Sequence, residues 1–255
     1  MIIKKKEWES DFYDRALFSV IPPVQKWNYN DIPEFQKKLE ETLTDAQSGV
    51  YEFELDARYL FLSATLEDMG FRLWDSRYQF VTFFKKSELP HYKYTLPESA
   101  RIRAYRPDDL EAVLEINEAF LIHDDQLISK YKSPFFDEGS AAKWFTAWVR
   151  NSLEEGALCS VLEESGEVKG YFIYAEKGQH KDLTLFKGIL SSIHPDFRGL
   201  NLHLALQEFI LTDMIEQDAF YIDNTTQISN MPIVKNHFSS RRYPSSIKLV
   251  FLKQV

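Results

Sequence analysis

In the second half of the chain, stretches with apolar residues at every second position alternate with stretches where they recur every third or fourth. The clearest helical stripe lies in 141–149 and consists of Ala141, Trp144, Phe145, Trp148 and Val149. This spacing puts the five side chains on one face and predicts a helix packed against a sheet. An earlier helix is predicted after the acidic turn at 106–110, with its apolar stripe running to Phe120.

Six strands are predicted in this half, at 101–105, 159–163, 170–176, 183–193, 219–222 and 247–252. A turn at 164–167 joins the second and third of them. Two further helices are predicted, one beginning near Asn201 and one over 232–239. The half therefore consists of a strand, two helices, three antiparallel strands, a helix, a strand, a helix and a strand.

The first half has a shorter set of elements. They are a strand at 17–21, a helix over Ile32–Leu43, a strand at 50–55, a helix over 59–69 and a β-hairpin over 71–84. Gly70 is expected to end the second helix in a left-handed conformation. The segment 89–100 contains two prolines and several polar residues, so we place the boundary there and expect domains at 1–95 and 96–255.

Composition excludes several classes of protein. A net charge of −9 argues against nucleic acid or an anionic membrane as the main partner, because both attract a basic surface. Cys159 is the only cysteine and lies in an apolar run, so we interpret it as a core residue and expect neither disulfides nor a cysteine-built metal site. The chain shows no apolar segment of secretory or membrane-spanning length, and we expect a cytoplasmic protein.

Candidate chemistry is concentrated in 187–207, which combines a buried strand, a turn centred on Arg198 and Gly199, and an amphipathic helix. A turn that leads into a helix directs several backbone N–H groups at one point, and the helix dipole adds partial positive charge there. Such a point suits a diphosphate. An ordinary strand–loop–helix connection has the same shape.

The element order and four segments resemble the GNAT superfamily of N-acetyltransferases. The segments are Ile102–Leu110, Gly170–Tyr174, Ile193–Gly199 and Thr226–Asn230, in the order and at the spacing of that superfamily. The resemblance implies an α+β fold, in which helices flank a mixed, mostly antiparallel sheet. It also implies acetyl-CoA as co-substrate.

A closer similarity is to the dTDP-fucosamine acetyltransferase group, which acetylates the amine of a nucleotide-linked 4-amino sugar. The segments that carry it are 128–131, 147–153, 66–71 and 8–15. That group has a truncated second unit of the same fold at the N-terminus, which implies that 1–95 is such a unit. The loop 123–137 would then border the acceptor pocket. Asp124, Asp125 and Lys130 are candidate contacts to a sugar or its phosphates, although loop charge exposed to solvent is the preferred interpretation of them.

Residues for the coenzyme follow from the same resemblance. Strand residues Ser191, Ser192 and Ile193 would pair with the pantetheine arm in a gap between the fourth and fifth strands. The diphosphate would be bound by the turn and helix start, through Arg198, Gly199, Leu200, Asn201, Leu202, His203 and Leu204. The superfamily favours glycine at the positions of Asn201 and His203, so coenzyme affinity is open. Asn230 would cap the next helix and contact the pantetheine.

Acetyl transfer to an amine requires a proton to leave the ammonium and one to reach the thiolate. The superfamily's tyrosine donor corresponds to His237 here, whose ordinary pKa lies near neutrality. A one-residue shift would put Phe238 there instead, and Tyr243 is a fallback. For the base, Asp223, His194, Glu176 and His180 are all candidates.

Three readings stay open. The preferred one is direct, acetyl-CoA-dependent acetylation of a primary amine on a small molecule, with an amino sugar as the favoured acceptor. The second is acetylation of a peptide N-terminus, an amino acid or a polyamine. The third is a non-catalytic module that binds acyl-CoA. We also expect that the last strand, 247–252, is an exposed edge through which a homodimer could form.

Overall fold

The computed structural model describes residues 1–89, 91–123, 129–240 and 242–255. The strands are β1 (Ile2–Lys5), β2 (Leu17–Ile21), β3 (Val50–Asp56), β4 (Arg72–Lys85), β5 (Ala100–Ala104), β6 (Leu158–Glu164), β7 (Glu167–His180), β8 (Leu183–Ile193), β9 (Ala219–Gln227) and β10 (Ser246–Gln254). The helices are α1 (Glu7–Tyr13), α2 (Ile32–Leu43), α3 (Ser63–Asp68), α4 (Leu110–His123), α5 (Ser140–Glu154), α6 (Leu202–Phe209) and α7 (Met231–Ser239). A π-helical turn, Ile210–Met214, extends α6.

All ten strands belong to one sheet, in the order β1-β2-β3-β10-β4-β9-β8-β7-β6-β5. Most neighbours are antiparallel, and only β2–β3 and β8–β9 are parallel. The second half contributes the predicted order of elements. The first half ends in β4, which lies between β9 and β10 of the second half. The two halves therefore share a continuous sheet.

The predicted β-hairpin over 71–84 is wrong, because β4 is a single strand of 14 residues. Along one edge β4 pairs with β10 from Arg72 to Gln79, and along the other it pairs with β9 from Arg77 to Lys85. A strand with two neighbours alternates along its whole length in the same way as the two arms of a hairpin. The sequence pattern could not separate the two cases.

The expectation that the last strand is an exposed edge is also wrong. β10 pairs with β3 on one side and with β4 on the other, so it lies inside the sheet. The edge strands of the described residues are β1 and β5. The sequence-based argument for a homodimer, which relied on an exposed edge at the last strand, therefore no longer holds.

Helices cover both faces of the sheet. On β7, Phe172 and Tyr174 belong to an apolar cluster with Leu202 and Leu206 of α6. Their neighbours Tyr171 and Ile173 belong to a cluster formed with α4 and α5. Successive residues of a strand point to opposite faces, so α6 lies on one face and the α4–α5 pair on the other. None of the described helices is long and apolar enough to cross a membrane.

Candidate functional site

Strands β8 and β9 are paired at one end and separate towards the other. They are parallel neighbours, but they pair only at Leu185–Tyr221, Phe186–Ile222 and Lys187–Asp223. Beyond this point β8 continues to Ile193 beside β7, and β9 continues to Gln227 beside β4. The structure thus has the gap that the sequence led us to expect ahead of Arg198 and Gly199.

The β8 side of the gap carries free backbone groups. A bulge lies at 189–190, because Phe172 pairs with Ser191 whereas Tyr174 pairs with Gly188. After the bulge, the His194 N–H donates to the Lys169 carbonyl at 2.8 Å. Backbone groups of an antiparallel pair alternate in direction, so those of Ser192 face β7. Those of Ser191 and Ile193 face the gap, where the Ile193 carbonyl also accepts from Arg198 Nε at 3.3 Å.

The two strands part just after the Lys187–Asp223 pair, and we call this point the apex of the gap. Three buried polar side chains are hydrogen-bonded to one another there, on the α6 face of the sheet. The Asn224 amide donates to the Tyr174 hydroxyl at 3.2 Å, and the Gln207 amide donates to the same hydroxyl. Asn224 lies directly over Gly188, where a Cβ would be 2.2 Å from Asn224 Oδ1. Glycine at 188 therefore makes room for this amide at the apex of the gap.

The turn after β8 exposes a helix start. Arg198, Gly199 and Asn201 are exposed, with Gly199 at φ +84° and Asn201 at φ +59°. Asn201 precedes α6, but its amide donates to the Lys93 carbonyl at 3.2 Å and does not cap the helix. First-turn N–H groups have no partner within their own helix, so those of Leu202 and His203 are left available. Leu204 N–H bonds to the Asn201 carbonyl at 3.0 Å.

The His203 ring is turned away from that helix start. It packs on Phe172 with ring centroids 4.8 Å apart, and its Nδ1 is buried without a hydrogen-bond partner. Burial, together with the positive charge of Arg242, lowers the pKa of His203 to about 3. The imidazole is therefore neutral near pH 7. Because the ring packs on Phe172, it does not cover the backbone N–H of His203.

His237 is buried on the inner side of α7. Its ring stacks on Phe80 of β4 at 4.1 Å, and Phe80 pairs across the strands with Asn224. Burial lowers the pKa of His237 to about 3, with further contributions from Arg242 and His203. Phe238 and Tyr243, the other two residues considered for this role, are exposed. His237 thus lies near the apex of the gap, and its ring is neutral near pH 7.

Of the four candidate bases, Asp223 lies at the apex. It forms the last rung of the β8–β9 pairing, on the face opposite Asn224. Its Oδ2 accepts from the Gln79 amide at 3.0 Å, and its Oδ1 is buried with no hydrogen-bond partner among the described residues. Gln79 is held in turn by Ser246, whose hydroxyl donates to Gln79 Oε1 at 2.9 Å.

The other three candidate bases lie away from the apex. Glu176 and His180 pair with Phe186 and Leu183, in the part of β8 before the gap. His194 lies in the turn after β8, where its Nδ1 accepts from the Asp196 N–H at 3.4 Å. Sequence reasoning did not separate Asp223 from these residues, because the end of the strand pairing is not visible in the sequence.

Asn230 precedes α7, and its side-chain oxygen accepts from the Ile233 N–H at 3.5 Å. It therefore has the helix-cap geometry that was expected of it. Cys159 is buried in the α4–α5 cluster, as expected, and burial raises the pKa of its thiol. Among the described residues, no three His, Cys, Asp or Glu side chains are grouped as metal ligands would be.

Lys130 is neither loop charge exposed to solvent, as preferred from the sequence, nor available as a sugar contact. Its side chain is 6% exposed and pairs with Glu52 at 2.5 Å and with Glu9 at 3.6 Å. Lys6 also reaches Glu52, at 2.7 Å. Lys130 therefore anchors the segment after α4 to α1 and β3. Asp124 and Asp125 lie outside the described residues.

Comparison with known proteins identifies the fold. Neither a protein-family model nor a curated protein matches this sequence. A GCN5-related N-acetyltransferase from Sphaerobacter thermophilus has a similar structure, with a TM-score of 0.58, 13% identity, and coverage of 99% of this chain and 76% of that one. A GCN5-related N-acetyltransferase from Kribbella flavida gives a TM-score of 0.55 at 10% identity, covering 93% and 81%.

A tandem GNAT protein from the clavulanic acid biosynthesis pathway is also similar, with a TM-score of 0.53 at 11% identity, covering 93% of this chain and 75% of that one. At such identities the likeness concerns architecture alone. The chain has the GNAT fold, and the predicted α+β class is confirmed.

Proposed function

We propose that the protein is an acetyl-CoA-dependent N-acetyltransferase that passes the acetyl group directly to a primary amine of a small molecule. One observation carries the proposal. Strands β8 and β9 stop pairing at Lys187–Asp223, and β8 then leads straight into an exposed helix start. A gap lined by free strand backbone, followed by a cluster of free N–H groups, matches a long amide-containing arm with a diphosphate at its end.

In this proposal the backbone of Ser191 and Ile193 pairs with the amides of the pantetheine arm. Ser192 supports them from the β7 side. The diphosphate is bound in the turn and helix start 199–204, chiefly by the available N–H groups of Leu202 and His203, and Arg198 lies beside it. Asn230 caps α7 next to the gap. These are backbone contacts in the main, so the chain needs few lysines to bind a polyanion.

The same proposal gives Asp223 the role of base. The amine nitrogen attacks the thioester carbonyl, the C–S bond breaks, and the proton of the amine passes to Asp223. The free Oδ1 of Asp223 supports this role, since it is an acceptor without a partner at the apex of the gap. Cys159 is buried with a raised thiol pKa, which argues against an acyl-enzyme on that residue.

The proton for the leaving thiolate has two sources. His237 lies near the apex, but with a pKa of about 3 it is neutral. It can act as donor only if the developing thiolate raises its pKa, so that the ring takes up a proton from water and passes it to the sulfur. Alternatively, the thiolate leaves first and takes a proton from water, because an ordinary thiol has a pKa of about 8.5. We retain His237 as the proposed donor, and the activity of a His237→Phe variant distinguishes the two sources.

For the acceptor we propose an amino sugar, free or nucleotide-linked, on the resemblance of 147–153 and 66–71 to the dTDP-fucosamine acetyltransferase group. Cationic acceptors such as a polyamine, an amino acid or a peptide N-terminus are the alternative. The net charge of −9 favours them.

A non-catalytic module that binds acyl-CoA is the second candidate function. The neutral, stacked state of His237 favours it. Thermal denaturation with acetyl-CoA, using adenosine as a control without diphosphate, tests binding: acetyl-CoA should raise the melting temperature and adenosine should not. Release of the CoA thiol with amino sugars, polyamines and amino acids then separates an enzyme from a binding module.

A further inference from the structure

Arg242, just after α7, is a buried cation for which the described residues provide no counter-ion. Arg242 is only 3% exposed. No carboxylate among the described residues forms an ion pair with it. Its guanidinium donates to the Tyr92 hydroxyl and lies over the Phe84 ring, 5.0 Å from the centroid. Its Nε has no hydrogen-bond partner.

These contacts satisfy Arg242 only in part. An aromatic ring attracts a guanidinium, but a buried charge is stable only when it is also paired or fully hydrogen-bonded. A buried charge without a partner is costly, and an anion beside Arg242 would offset that charge. The question is whether an anion can reach it.

A cleft of about 200 Å³ opens beside Arg242. Its walls include Thr82, Phe83 and Lys85 of β4, with Ser240 on the α7 side. This part of β4 is beyond Gln79, where pairing with β10 has ended. The cleft therefore lies against a strand edge that no other strand covers. The gap that we assign to the coenzyme lies between β8 and β9, and β9 separates it from β4 in the sheet.

The strand edge supplies a second donor. The Val81 N–H points to the β10 side, where it donates to Ser245 Oγ at 3.3 Å. Backbone groups of a strand alternate in direction, so the Phe83 N–H points to the same side and into the cleft. Lys85 and Glu88 also line the cleft, and they pair with each other at 3.0 Å, so their charges offset one another. Among the lining residues, Arg242 is thus the cation that has no ion pair.

We propose that this cleft binds a small organic acid through its carboxylate, which Arg242 and the Phe83 N–H hold together. The planar fork of a guanidinium matches two carboxylate oxygens. A single cation free of ion pairs matches one negative charge better than a phosphate dianion. The volume admits an acid of a few carbon atoms.

An anion bound in this cleft would change the pKa values of His203 and His237. The Arg242 charge is among the causes that lower the pKa values of His203 and His237, and it also faces Tyr174 and Tyr92. An anion on Arg242 offsets this charge, so the pKa values of both histidines should rise when the cleft is filled.

Propionate is a suitable probe, titrated into the wild-type protein at constant ionic strength with chloride as the compensating anion. We expect saturable thermal stabilisation by propionate, a shift of the His203 and His237 ring nitrogen signals in NMR spectra, and at least tenfold weaker binding in Arg242→Gln. Exposed Arg58→Gln is the matched control and should bind propionate as the wild type does.

Because Arg242→Gln could fail to fold, crystals of the wild-type protein soaked in propionate give an independent readout. Carboxylate density against Arg242 supports the proposal. Density at other positions only, or the absence of saturable binding, overturns it. Tighter binding of inorganic phosphate than of propionate overturns the assignment to a carboxylate.

Discussion

Gln79 donates a 3.0 Å hydrogen bond to Asp223 at the point where β8 and β9 part. Gln79 belongs to the first half of the chain and Asp223 to the second. Because β4 lies between β9 and β10, the first half places a side chain directly against the carboxylate that we propose as the base. The second half alone would lack this contact.

Substitution of Asp223 by Asn should lower the rate of thiol release about 10²-fold or more, since a positioned base contributes about 10²–10⁴ in rate. The acetyl-CoA melting shift should stay near that of the wild type, because Asp223 is not among the groups assigned to the coenzyme. Gln79→Met, which keeps the size but removes the amide, should give a smaller loss. An unchanged rate in Asp223→Asn would remove this residue from the mechanism.

Replacing Gly188 by Ala should close the apex of the gap. The new Cβ would lie 2.2 Å from Asn224 Oδ1, so the amide must move and the Tyr174 contact is disturbed. We expect a destabilisation of about 1–3 kcal/mol and loss of the acetyl-CoA melting shift. Gly139→Ala is the control for coenzyme binding: nothing lies within 4 Å of its Cβ, although its φ of +75° also costs stability with alanine, and it should keep the acetyl-CoA melting shift. If Gly188→Ala binds acetyl-CoA normally, the apex is not part of the coenzyme site.

The two buried histidines should make the protein sensitive to acid. With folded-state pKa values of about 3 against an ordinary value of 6.5, the unfolded chain binds more protons between these limits. Stability therefore falls as pH decreases through this window, by up to about 1.4 kcal/mol per pH unit for each histidine.

His237→Phe keeps the stacking on Phe80 and removes one of these contributions. Urea unfolding at pH 6.5, 5.5 and 4.5 should show a shallower loss of stability than in the wild type. The same His237→Phe protein decides the proton donor. If its rate of thiol release matches that of the wild type across pH, the thiolate leaves without help from His237.

Removal of Lys130 should destabilise the fold strongly. Lys130→Met leaves Glu52 buried with Lys6 as its only partner among the described ion pairs, and loss of one member of a buried pair costs about 3–5 kcal/mol. Lys37→Met breaks an exposed pair with Glu41 and should cost less than about 1 kcal/mol. Equal stabilities of the two variants in urea unfolding would show that Lys130 is not an anchor.

Local patterns predicted most of the elements. The helix over Ile32–Leu43 agrees with α2 to the residue, because Phe35 and Leu39 carry a clear apolar stripe. The left-handed Gly70 after the next helix was also predicted, and its φ is +87°. Strand β1 was not, since its four residues include two lysines and only a partly buried Ile3.

Strand pairing and ion pairs between residues far apart in the sequence could not be predicted from local patterns. Nothing local in 71–84 shows that β4 has β10 on one side and β9 on the other, and nothing in 247–252 shows that it is an inner strand. Lys130 resembles an ordinary loop lysine until Glu52 and Glu9, far away in the sequence, are brought against it. The apex of the gap is likewise a property of strand pairing, so Asp223 could not be chosen over His194 beforehand.

The most direct test of this account is a crystal structure of the protein with acetyl-CoA. We predict that the pantetheine arm lies between 188–193 of β8 and 224–227 of β9, with the diphosphate at the N–H groups of 199–204. A coenzyme bound anywhere else, or a protein that binds none at millimolar acetyl-CoA, would contradict it.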